Sequence, residues 1–140
     1  MIPSYFASSS SAESRPIPRQ LRVLVVDDEP DTVASLVMLL RTEGYDAKGL
    51  TDPNRVLVEV EAFNPDVVIV DIFMPGMSGW EVARDVRKAG HRPPMLIAIS
   101  GTYVKTADVA ISRAAGFSHF LQKPCDPNFL FNILAAITPR

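Results

Sequence analysis

Four acids fall within five residues at Asp27-Asp28-Glu29-Pro30-Asp31, directly after the apolar run LRVLVV (21–26). Like charges about 4 Å apart repel by roughly 1 kcal/mol in water, and by about 4 kcal/mol at an effective dielectric near 20. Either these carboxylates splay into solvent or something positive sits among them. A second apolar run, DVVIVD (66–71), also ends in an acid, Asp71. A third, MLIAIS (95–100), leads into Ser100-Gly101-Thr102, and the more mixed strand FSHFLQ (117–122) leads into Gln122-Lys123-Pro124. Carboxylate oxygens suit a hard cation, and Mg2+ takes one or two carboxylates while keeping several waters. A carboxylate can also act as a nucleophile toward phosphorus, giving an acyl phosphate. A hydroxyl and an ammonium would then neutralise the phosphoryl oxygens. A phosphate-cradling loop would instead need glycines and free backbone N–H groups after the first strand. DDEPD repels an anion, which argues against a flavin-phosphate or dinucleotide site.

The elements that must position these groups alternate along the chain. RVLVV (22–26) is a continuous apolar run and predicts a buried strand. Val33, Leu36, Val37 and Leu40 follow at helical spacing, and Gly44 stops that helix. DAKGL (46–50) is a more polar strand, suited to an edge. Asp52 caps and Pro53 opens a helix with Val56, Leu57 and Val60 on one face. Ser78-Gly79-Trp80-Glu81 reads as a capping box opening the helix GWEVARDVRKAG. KTADVAISRAAG and DPNFLFNILAAI predict the fourth and fifth helices. Alternating strands and helices imply a doubly wound α/β fold, a five-stranded parallel sheet flanked by five helices, for which 2-1-3-4-5 is one of the common strand orders and the one expected here. In such a sheet the site lies at the carboxyl ends of the strands, beside the switch between strands one and three. Neighbouring strands are about 4.8 Å apart, so Asp27, Asp28 and Asp71 converge on one crevice.

The 140 residues suffice for one domain with a real core, and 47% are hydrophobic, as expected of a globular chain. Fourteen basic against 16 acidic residues leave a net charge of -2, without the clustered basic face of a nucleic-acid binder. One cysteine, Cys125, rules out an intrachain disulfide and fits a reducing compartment. No apolar run approaches the ~20 residues of a membrane span, and residues 1–20 lack the pattern of a signal peptide. Rich in Ser and Pro, residues 1–20 read as a flexible tail.

The motifs VVDDE, VIVDIFMPGMSG, AISGT and LQKP stand in order, each at a predicted strand end. With them, residues 21–138 resemble the receiver domain of bacterial two-component response regulators, of the chemotaxis-regulator-like kind. The resemblance implies a flavodoxin-like fold, with Asp71 as the phosphoacceptor and Asp27 and Asp28 as the acidic pair serving Mg2+. It adds the Phe73 backbone carbonyl as a further metal ligand, Ser100 as the hydroxyl and Lys123 as the lysine of the site. It makes Phe120 the aromatic switch residue and the Lys123–Pro124 peptide cis. The implied phosphodonor is a histidine kinase or a phosphotransfer protein. Catalysis is confined to the domain's own phosphorylation and dephosphorylation, and the expected location is cytoplasmic. A monomer or weak dimer is expected, with no direct contact to nucleic acid or membrane. Bulky Phe73 and Thr102 occupy positions by which the family tunes attack of water on the acyl phosphate.

Plainer readings compete. Asp27 and Asp28 could be a solvated strand end, with Asp28 or Glu29 capping the next helix; Asp71 and Lys123 in register with them favour a shared site. Asp66 reads as a turn acid after Pro65, and Phe120 as plain core. Cys125 reads as inert. His91 and His119 have no metal-like spacing, His119 pointing out of the last strand. Trp80 is expected beside the acceptor loop, reporting on the site. A magnesium-dependent aspartyl phosphotransferase of the haloacid-dehalogenase type would want an acid two residues after its nucleophile, where Phe73 stands. A pseudo-receiver would lack one of the acids or the lysine. With the chain ending at Arg140, no DNA-binding output domain is expected. The start at Met1 and the short tail favour a stand-alone receiver over a piece of a hybrid kinase.

Overall fold

The computed structural model describes residues 19–90, 92–101 and 105–139. Most of the expected tail, through residue 18, lies outside them, as do His91 and Thr102. Five strands, β1 (Arg22–Val26), β2 (Asp46–Leu50), β3 (Val67–Asp71), β4 (Met95–Ser100) and β5 (Phe117–Gln122), alternate with α1 (Pro30–Thr42), α2 (Val56–Phe63), α3 (Gly79–Lys88), α4 (Thr106–Ala115) and α5 (Pro127–Ala135). The strands form one parallel sheet in the expected order β2-β1-β3-β4-β5. The three inner strands are the three continuous apolar runs, and every residue of β3 is buried. Edge strands β2 and β5 carry exposed residues, which matches their more polar sequences.

Alternation along each strand divides the core into two layers. Val23, Val25, Ile69 and Ile97 face Val33, Val37 and Leu40 of α1 and Leu130 and Leu134 of α5. Leu24, Val26, Val68, Val70 and Ala98 face Val56 of α2, Val82, Ala83 and Val86 of α3, and Ala115 of α4. Each fully buried Val, Leu or Ile contributes about 1.5–3 kcal/mol, so both faces hold the strand ends in place.

Local chemistry sets the helix ends. Gly44, at φ +95°, follows α1 and ends it as expected. No side chain caps the start of α1; the Glu29 N–H instead donates to Asp27 Oδ1 at 3.0 Å, so the alternative role of Asp28 or Glu29 as a cap is not realised. The helix expected from Asp52 begins as a 3-10 turn, Pro53–Arg55, because Asp52 accepts the Asn54 N–H and tightens the first turn. Ser78 Oγ accepts the Glu81 N–H at 3.2 Å and caps α3. Asp66 lies just outside β3, buried, and Arg19 grips it with two bonds of 2.8 Å. Arg19, within the expected tail, is thereby held against the N-terminal end of the sheet. No helix among the described residues is long and apolar enough to cross a membrane.

Candidate functional site

The carboxyl ends of β1 and β3 bring Asp27, Asp28 and Asp71 together, with a carboxylate oxygen of each within 4.8 Å of the others. Asp27 and Asp71 are buried, whereas Asp28 is exposed at the mouth. Lys123, just beyond β5, reaches across: its Nζ lies 2.6 Å from Asp27 Oδ2 and 3.7 Å from Asp71 Oδ2. The Lys123 N–H donates to the Ser100 carbonyl at 2.7 Å, which holds its backbone beside the end of β4; the Lys123–Pro124 peptide is cis, as expected.

Asp27 is the better satisfied of the two buried acids, with the Lys123 ammonium on one oxygen and the Glu29 N–H on the other. Asp71 has the Phe73 N–H at 3.3 Å and the more distant ammonium. Burial, and then the charge of Asp27, raise the Asp71 pKa from 3.8 to about 6, against the opposing pull of Lys123 and the Phe73 N–H. At Lys123 burial works to lower the pKa, but the Asp27 hydrogen bond and the charges of Asp27 and Asp71 outweigh it, so the ammonium is held above its ordinary value. Three carboxylates against one ammonium leave the cluster rich in hard oxygen donors and short of positive charge, a donor set that fits a divalent cation.

The surrounding positions divide. Ser100 is fully buried at the end of β4, and Phe120, half-buried on β5, packs against the α2–α4 layer of the core. Gly79 opens α3 against the acceptor strand: its N–H donates to the Ile72 carbonyl at 2.8 Å, and a Cβ there would stand 2.6 Å from the Asp71 carbonyl oxygen. Phe73 is 38% exposed and meets Trp80 edge to face, centroids 5.5 Å apart, so Trp80 does sit beside the acceptor loop. The Trp80 indole N–H in turn donates to Ser112 Oγ on α4 at 2.8 Å, a partner to which the sequence drew no attention. The only signal was a serine where α4 turns inward. His119 is exposed, as expected. Burial and neighbouring Asp126 raise the Cys125 thiol pKa, in keeping with an inert cysteine.

The chain has counterparts among known proteins. Residues 23–135 match the family model described as the response regulator receiver domain. The DNA-binding response regulator MtrA of Mycolicibacterium smegmatis is 35% identical over 109 residues, 78% of this chain and 46% of that protein. The CAI-1 autoinducer sensor kinase/phosphatase CqsS of Vibrio cholerae is 33% identical over 116 residues, 82% of this chain and 17% of that protein. The chain thus spans less than half the length of either relative. Among solved structures, a CheY-like response regulator receiver domain protein from Methanospirillum hungatei superposes with a TM-score of 0.76 at 25% identity, covering 84% of this chain and 92% of that one. A response regulator receiver protein from Pseudomonas putida gives a TM-score of 0.79 at 24% identity, covering 86% and 100%, which speaks for the fold. Domains of this family work with histidine kinases in two-component signalling and generally use Mg2+ at such an acidic pocket. With its strand order, its three converging acids and its bridging lysine, this chain belongs to the response regulator receiver domain family.

Proposed function

We propose that Asp71 receives a phosphoryl group from the phosphohistidine of a histidine kinase or phosphotransfer protein. The observation that carries this reading is the state of Asp71: a buried carboxylate, short of hydrogen bonds, its pKa raised to about 6, and 3.7 Å from a lysine already engaged elsewhere. An Asp71 oxygen attacks phosphorus, and the N–P bond of the donor breaks with its electron pair returning to the imidazole, which takes up a proton. Lys123 is placed to move from Asp27 toward the incoming phosphoryl oxygens, and Ser100 donates its hydroxyl to another. Asp27, Asp28, Asp71 and the Phe73 carbonyl would hold Mg2+. When bound, the ion offsets the charge of the carboxylates and of the phosphoryl oxygens.

Phosphorylation draws Ser100 toward the new group, and Phe120 turns inward to fill the vacated space, altering the face formed by α4, β5 and α5. A beryllofluoride complex should show both movements. The domain catalyses only its own phosphorylation and dephosphorylation, and its place is the cytoplasm, where histidine kinases present their phosphohistidine. The phosphotransferase alternative is not favoured, since Phe73 supplies no acid and the family match points elsewhere. The comparisons do not favour the hybrid-kinase reading either.

The test is chemical. Incubation with Mg2+ and acetyl phosphate, followed by borohydride trapping and mass mapping, should label Asp71. The label should vanish with EDTA or in Asp71→Asn. Labelling mainly on Asp27, Asp28 or a histidine, or undiminished labelling in Asp71→Asn, overturns the proposal.

A further inference from the structure

We infer that Trp80 and Ser112 are positioning residues that set the lifetime of the acyl phosphate by holding Phe73 beside the acceptor. The inference rests on Asp71 as the phosphoacceptor. Phe73 is bound at both ends: its N–H donates to Asp71 Oδ1 at 3.3 Å, and its ring meets the Trp80 ring at 5.5 Å with the planes 79° apart. At 38% exposure the ring has water on one side, so Trp80 is what keeps it from swinging away. Trp80 is fixed in turn, its indole N–H on Ser112 Oγ at 2.8 Å.

Ser112 is the unexpected member. It is 1% exposed, on a helix surface where alanine would pack without any polar atom to satisfy. Its hydroxyl is used in both directions, accepting from the indole and donating to the Asp108 carbonyl at 2.8 Å. The second bond aims the lone pairs at Trp80, so the indole is held by an oriented acceptor. The order of contacts runs from α4 through α3 to the residue two after the acceptor. Packing alone does not call for such an order.

The step affected is hydrolysis. A water oxygen forms a new bond to phosphorus, the bond between phosphorus and the Asp71 oxygen breaks with its electron pair returning to the carboxylate, and the water protons pass to inorganic phosphate and solvent. Phe73 stands two residues after the acceptor with its N–H on Asp71 Oδ1, so fixing its ring on Trp80 restricts the approach of water from that side. A ring released from Trp80 opens that approach.

The experiment phosphorylates the full chain with acetyl phosphate and Mg2+, removes the donor, and follows the Asp71 label by borohydride trapping. Ser112→Ala should shorten the lifetime about fivefold, the scale of one ordinary net hydrogen bond, and shift the emission of Trp80. Trp80→Phe should shorten the lifetime at least as much as Ser112→Ala, because it keeps a ring but loses the N–H and part of the indole surface that meets Phe73. Trp80→Ala should shorten the lifetime about tenfold, as a lost aromatic pair would, and Phe73→Ala should do the same. In a Phe73→Ala background, Ser112→Ala should change nothing further. Unchanged decay in Ser112→Ala and Trp80→Ala overturns the inference, as does an effect of Ser112→Ala that persists without the Phe73 ring. A parent that takes no label on Asp71 overturns the acceptor assignment and this inference with it.

Discussion

β3 carries a carboxylate at each end, Asp66 immediately before its first residue and Asp71 as its last. Both are buried. At the lower end Asp66 takes two bonds from the Arg19 guanidinium and one from the Arg22 N–H, all at 2.8 Å. At the upper end Asp71 takes one N–H at 3.3 Å, and the ammonium 3.7 Å away belongs first to Asp27. The same side chain on the same strand is thus saturated at one end and kept short at the other. A saturated carboxylate is structure; a carboxylate left short of partners is reactive, because burial without compensation raises its energy and leaves lone pairs to offer.

Three experiments break or sharpen this contrast. The largest effect should come from Arg19→Met, which leaves Asp66 buried without its counter-ion. Denaturant unfolding at neutral pH should show a loss of about 2–3 kcal/mol, the cost of leaving a buried carboxylate short of its partner when the other half of the pair is partly solvated. A loss under about 1 kcal/mol would mean that the lower end is no anchor. Next comes Asp71→Asn, which removes a charge the fold tolerates poorly. The folded pKa, about 6, lies above the unfolded value of 3.8. The contribution of Asp71 to stability is therefore fully present below the unfolded pKa and lost as pH rises through the folded one. In EDTA at pH 7.5 Asp71→Asn should be more stable than the parent by about 2 kcal/mol, and the difference should shrink toward nothing near pH 4. A flat difference across that range removes the strained-carboxylate account. The smallest effect on stability should come from Asp28→Ala. This exposed acid should change unfolding by no more than about 0.5 kcal/mol while weakening Mg2+ binding, followed through Trp80 fluorescence. Undiminished Mg2+ affinity would take Asp28 out of the metal site.

The upper end of the sheet was legible in the sequence and the lower end was not. Asp27, Asp71, Ser100 and Lys123 each close or follow an apolar run, and a parallel sheet places all such ends on one side, so topology alone assembles the site. Asp66 also borders an apolar run, but it read as a turn acid because its partner, Arg19, lies 47 residues away in a stretch with tail-like composition. The Trp80–Ser112 bond was hidden for a related reason. It depends on how α3 and α4 lie against each other, and helix crossing angles follow from side-chain packing that no spacing rule encodes. Asp52 and Pro53 did mark where the chain turns helical, but they signal a helix start without saying whether the first turn is α or 3-10.

The close approach at Gly79 has a consequence for variation. A Cβ there would meet only backbone on its nearest contacts, 2.6 Å from the Asp71 carbonyl oxygen and 2.8 Å from the Ile72 Cα, so no rotamer change relieves the overlap. Every other amino acid must push the peptide that carries the acceptor. A saturation library at position 79, sorted for Asp71 labelling, should therefore return one letter, while the same library at neighbouring Glu81, exposed to solvent, should return many. The most constrained position near the chemistry is one that has no side chain to take part in it.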